Sequence, residues 1–148
     1  MTATVEVASV VAADPAAVWA RITTLDGVNA ELMPLLRMTA PQGARLDDAP
    51  LDRAWFRSRL LLAGRLPVGV SHLTLVRVDP GRGFLERSPM TGMAVWEHER
   101  TLEPHGGGTL VRDRLVARPR LPVPAPVVAR VVRALFEHRH RRLRRAFS

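Results

Sequence analysis

Near the N-terminus, "TVEVASVVAA" alternates polar and β-branched apolar residues, the period of a strand with one buried face. The period then lengthens. In "ADPAAVWARI" Asp14 is placed to cap a helix and Pro15 fits its first turn, while Val18, Trp19 and Ile22 recur at helical spacing. A second short helix is predicted over residues 26–33, ended by Pro34. Strands dominate thereafter. Trp55, Arg57 and Arg59 alternate with Phe56, Ser58 and Leu60 in "RAWFRSRLLLAG", and "VGVSHLTLVRV" follows a break at residues 64–67. The turn "DPGRG" leads to "FLERS", and "AVWEHERTL" is joined by "EPHGGG" to "TLVRDRLVA". Prolines interrupt residues 119–126, and from residue 127 to the end the period is helical, giving a helix roughly 30 Å long. Strand, two helices, a run of strands and one long helix make an α+β layout, with an antiparallel sheet offering one face to that helix.

The last hairpin can be paired residue by residue. With "EPHGGG" as the turn, Leu102 faces Thr109, Glu99 faces Arg112 and Glu97 faces Arg114, so opposite charges meet on one face. The other face then carries Trp96 opposite Leu115, His98 opposite Asp113 and Arg100 opposite Val111. On the long helix Val128, Val132, Leu135, Leu143 and Ala146 form one stripe at about 100° per residue, with Arg139 near its middle. Arg133, Arg141, Arg144 and Arg145 fall largely off it, toward solvent. A buried guanidinium needs a carboxylate, water or a wet cavity, and Asp113 and Glu86 are the candidate partners of Arg139.

Composition changes this picture in three places. A length of 148 residues, 47% of them hydrophobic and 24% charged, suits one domain spanning 1–148 with a sizeable core. The sequence contains no cysteine, which excludes disulfides, thiolate metal sites and a cysteine nucleophile. It also shows no apolar run of membrane-spanning length and no signal-peptide pattern, so a cytoplasmic location is expected. All 22 basic residues are arginines, and the net charge is +8. Seven of them against the single acid Glu137 give residues 130–145 a charge of +6, so the basicity is local.

The segments "SVVAADPAAVWARIT", "FLERSPMTGMAVWEHERTL", "GGTLVRDRLVARP" and "LFEHRHRRLRRAF", in this order and spacing over residues 3–147, resemble the START-like, or SRPBCC, superfamily. The resemblance implies a helix-grip fold, a curved antiparallel sheet around a long C-terminal helix with two short helices after the first strand, and an elongated apolar cavity between sheet and helix. It does not choose a function, because the superfamily includes carriers, co-chaperone modules and polyketide cyclases. Binding a hydrophobic or amphipathic small molecule such as a lipid or polyketide, as carrier or sensor, is the expected role. The alternative is an enzyme of polyketide cyclase or dehydratase type. For binding, Trp96, Phe84, Leu60, Leu73, Leu115, Val132 and Leu135 are the apolar candidates, with Leu62 and Leu75 beside them; Arg139, His98 and Asp113 would contact a polar head, and Glu86 is a further polar candidate. Residues 64–67 and 119–126 would flank the mouth.

For the enzyme, Asp113 would orient His98 for general acid and base work, with Arg139 steadying an enolate. No tyrosine is available as a proton donor. His138 and His140, two positions apart on a helix, diverge by about 200° and cannot share an ion, so no metal is expected. No cofactor is expected either, since residues 106–108 lack the context of a nucleotide-binding loop. Specific nucleic-acid binding is disfavoured because no tryptophan lies in the basic run; peripheral contact of the arginine-rich helix with an anionic membrane surface remains open.

Overall fold

Alternation at the N-terminus produces β1 (Ala3–Val11), whose inward-facing Ala3, Val5 and Val11 are buried, in a computed structural model that describes residues 2–148. α1 (Pro15–Ile22) starts where its cap predicts: Asp14 accepts a 2.8 Å hydrogen bond from Ala17 N, and Val18, Trp19 and Ile22 are buried. α2 (Leu25–Leu32) begins just before Asp26 because Thr24 takes the cap position, its Oγ1 accepting from Gly27 N at 2.9 Å. The two helices meet closely there. A Cβ on Gly27 would lie 1.9 Å from the Arg21 carbonyl oxygen, so only glycine fits.

The chain then forms β2 (Leu36–Met38), β3 (Ala54–Leu62), β4 (Leu66–Asp79), β5 (Gly83–Arg87), β6 (Met93–His105) and β7 (Gly108–Pro119). Three residues are too few for β2 to show a period in the sequence. The strands build one antiparallel sheet in the order β1-β7-β6-β5-β4-β3-β2, so the N-terminal strand returns beside the last one. α3 (Ala125–Ala146) crosses the inner face against β1 and β7 and also meets α2. It starts earlier than residue 127, since Pro126 sits in the first helical turn, where its missing N–H costs nothing. This curved sheet holding a long C-terminal helix is the α+β layout expected from the periods and the helix-grip architecture implied by the resemblance. Among the described residues no helix is long and apolar enough to cross a membrane.

The β6–β7 hairpin differs from its predicted register. Leu102 faces Val111, Glu99 faces Arg114 and Arg100 faces Asp113, a shift of two residues. The cause is the turn. Gly106 and Gly107 both have positive φ, 53° and 81°, and close a two-residue loop between His105 and Gly108 in place of the expected six-residue turn. A shift of two preserves which side chains face inward, so the polar cluster on the inner face survives with different partners.

α3 buries Val132, Phe136, Arg139, His140 and Leu143, a wider face than the predicted stripe, while Ala146 is exposed. Arg133, Arg141, Arg144 and Arg145 are exposed, as expected. The apolar core is in two parts. One gathers α1, α2 and the sheet around Val18, Ile22, Leu25, Leu75 and Leu143; the other lies under α3 around Val5, Leu115, Ala117, Val132 and Phe136.

Candidate ligand cavity and its polar end

Between sheet and helices lies a cavity of about 390 Å³. Its wall is apolar except for three residues, Glu86 from β5, His98 from β6 and Arg139 from α3. Leu60, Leu73, Phe84, Trp96, Val132 and Leu135 all line it, as does Leu75. Leu115 does not: it is fully buried in the cluster beneath α3. Leu62 is 48% exposed near the end of β3 and also lies off the wall. Pro119 and Val123 reach the cavity from the segment before α3, whereas none of residues 64–67 does.

The polar wall residues are held by a buried network. Asp113, fully buried behind the cavity, accepts four hydrogen bonds: from His98 Nε2 (2.7 Å), Arg100 Nε (2.8 Å), Arg100 Nη2 (2.8 Å) and His140 Nε2 (2.7 Å). Arg100 turns its other edge to Glu31 of α2, donating from Nη1 and Nη2 at 3.0 and 2.9 Å. Arg139 Nε donates to the same Glu31 at 3.1 Å. The partner of Arg139 is therefore Glu31, and neither Asp113 nor Glu86. Ser88 donates to Glu86 Oε2 at 2.6 Å, and Glu86 Oε1 stands 3.8 Å from His98 Nδ1, beyond hydrogen-bonding distance.

Charge explains how such a network stays buried. Burial alone raises the carboxyl pKa of Asp113, but Arg100 and His98, with hydrogen bonds from Arg100 and His140, outweigh it and hold the group well below the usual carboxylate range. Burial likewise opposes ionisation of Glu31, and Arg100 and Arg139 overcome it, so its pKa is lowered too. Burial lowers the Arg100 pKa and the two carboxylates more than restore it, leaving it raised. Asp113 is thus an acceptor only, so both histidines donate to it through Nε2. His140 Nδ1 meets Ser9 Oγ on β1, which ties α3 to the sheet edge, while His138 Nε2 lies 3.0 Å from the Met33 carbonyl oxygen. The two histidines diverge, and the described residues contain no cluster suited to a metal ion.

Three members of the network, Glu31, Arg100 and His140, escaped the sequence reading. Glu31 follows Val28 by three residues and precedes Leu32 on the apolar side of α2, a spacing that marks a buried acid. Arg100 was given the wrong neighbour by the register error. His140 lies four residues after Phe136 and three before Leu143, which puts it on the buried face.

Residues 9–147 match the model of a family described as a domain of unknown function, DUF8410. The chain belongs to this family. No curated protein matches it. Among solved structures, this DUF8410 chain is similar to protein CV1439 from Chromobacterium violaceum, with 14% identity, a TM-score of 0.77 and coverage of 98% of this chain and 97% of that one. A START superfamily protein from Mycobacterium smegmatis aligns with 18% identity and a TM-score of 0.72, over 97% of this chain and 96% of its own. DynU16, a putative protein in the dynemicin biosynthetic locus, aligns with 18% identity and a TM-score of 0.62; the match covers 96% of the present chain but 46% of DynU16. At these identities the likeness is one of fold, and the fold of this DUF8410 member is START-like.

Proposed function

We propose that this protein binds a hydrophobic or amphipathic small molecule in the cavity between sheet and α3, as a carrier or sensor. The observation that carries the reading is a cavity of about 390 Å³ whose wall is apolar but for three polar residues. That is the size and composition of a small-molecule site, in which apolar surface supplies affinity and a few polar groups set orientation. Ligand-binding roles for Arg139, Glu86, His98, Trp96, Phe84, Leu60, Leu73, Val132 and Leu135 follow from their place on this wall. Asp113 acts on the ligand only through His98. Val127 and Val131 line the cavity while 49% and 65% exposed, which makes the N-terminal half of α3 the route of access.

Native mass spectrometry of the purified protein, set against its denatured mass, tests the reading. The expected result is an added mass that leaves on denaturation. Leu135→Trp, which fills part of the cavity from a half-buried wall position, should abolish it with little change in melting temperature. Retention of the same ligand by Leu135→Trp would place the binding elsewhere.

One observation favours a second reading, cyclase or dehydratase chemistry. His98 lines the cavity and donates a hydrogen bond from Nε2 to Asp113, which fixes its ring, the arrangement of an oriented base. His98→Ala should then abolish turnover of a polyketide-like substrate while leaving affinity within a few-fold. Equal loss of both would leave binding alone. Contact with an anionic membrane surface through α3 rests on fewer residues than the sequence suggests, because Arg133, Arg139 and Arg142 donate to Glu6 O, Glu31 and Ala30 O. Arg130, Arg141, Arg144 and Arg145 remain to supply it.

A further inference from the structure

The polar end of the cavity has a hydrogen-bonding pattern of its own, which rests on the binding reading above and narrows it. Arg139 spends Nε on Glu31, and its two Nη groups have no acceptor among the described residues. Its guanidinium carbon lies 4.8 Å from the centre of the Phe136 ring, and the His98 ring centre lies 4.9 Å from that same centre, so both groups pack against one aromatic ring. His98 Nδ1 and Glu86 Oε1 stand 3.8 Å apart with no protein donor to either. The wall therefore presents unused donors on Arg139 and an unused acceptor, Glu86 Oε1, beside the His98 ring.

We infer that the ligand's head carries a hydrogen-bond acceptor and a donor together, as in a neutral hydroxy-carbonyl compound, and is not a free carboxylate. Its carbonyl oxygen accepts from Arg139, and its hydroxyl donates to Glu86 Oε1. A carboxylate would leave the Glu86 acceptor unmatched and bring its charge beside it. Nor does Arg139 lack a counter-charge, because Glu31 and Asp113 already balance Arg100 and Arg139. Buried groups left without partners penalise the wrong head more than the right one is rewarded, so this end discriminates strongly.

Isothermal titration of the wild-type protein with four twelve-carbon probes tests this: the fatty acid, the methyl ketone, the secondary alcohol and the β-hydroxy methyl ketone. The β-hydroxy ketone should bind about tenfold more tightly than each of the others, the loss expected when one or two such bonds go unmade. Glu86→Met, checked for an unchanged fold by its melting curve, should bring the β-hydroxy ketone down toward the ketone and improve the fatty acid. Tightest binding of the fatty acid, or equal binding of ketone and β-hydroxy ketone, overturns the inference and leaves the binding reading standing. If none of the four binds up to its solubility limit, the binding reading fails and the inference with it.

Discussion

Arg100 shows what a single buried residue does here. It is fully buried and bonded to Asp113 and Glu31 at once, so each carboxylate depends on it for its charge and its hydrogen bonds. Replacement by methionine leaves two buried acids short of a partner, and should cost about 3 to 5 kcal/mol in chemical denaturation. Arg139 is less central, because Arg100 still serves Glu31 without it. Arg139→Ala should cost roughly 1 to 3 kcal/mol by losing a charge-assisted bond, and should weaken ligand binding as well. Arg144→Ala, on the exposed side of the same helix, should change neither. Equal, small effects at Arg139 and Arg144 would show that the inward arginine has no structural task. The inward direction of Arg139 was legible from helical period alone. Its partner was not, because a sequence gives no distance between α2 and α3, and Glu31 reaches it across 108 positions of chain.

At the level of elements, local chemistry decided more than pattern did. The cap at Asp14, the alternation of β1 and the helical period of α3 each predicted an element that formed, since each depends on neighbours in sequence. The predicted β6–β7 register differs from the observed one because of the turn chemistry, a glycine pair that accepts positive φ at both central positions. That slip hid the Arg100 and Asp113 pairing and so half of the network. Close approach of helices is equally invisible in sequence. Gly27 is the point at which α2 meets the end of α1, and Gly27→Ala must push the Arg21 carbonyl away. Since α2 carries Glu31, the substitution should lower the melting temperature by several degrees and also weaken ligand binding. Gly43→Ala provides the contrast, because its Cβ meets nothing, although its φ of 73° adds a small strain. A Gly27→Ala protein as stable as the Gly43→Ala protein would mean the helices separate at no cost.

For the molecule as a whole, the network joins α2, β6, β7 and α3 through ionised groups, so its strength depends on pH. Glu31 and Asp113 have folded-state pKa values below their unfolded ones, and the unfolded chain therefore binds more protons at acid pH. Their contribution is complete above the usual carboxylate range, roughly pH 4 to 5, and is lost as pH falls through the depressed folded values. Stability should hold steady from neutrality down to about pH 5 and then decline. A second cause acts in the same direction: the net charge is already +8 at pH 7, and it grows as the remaining acids take up protons. Glu31→Gln separates the two. It removes one buried titration and adds only one positive charge to the total, so the variant should start less stable at neutral pH and lose less on acidification. Melting curves at half-unit steps of pH measure both slopes. Parallel decline of wild type and variant would assign acid unfolding to general charge repulsion, and the buried carboxylates would then matter for geometry alone.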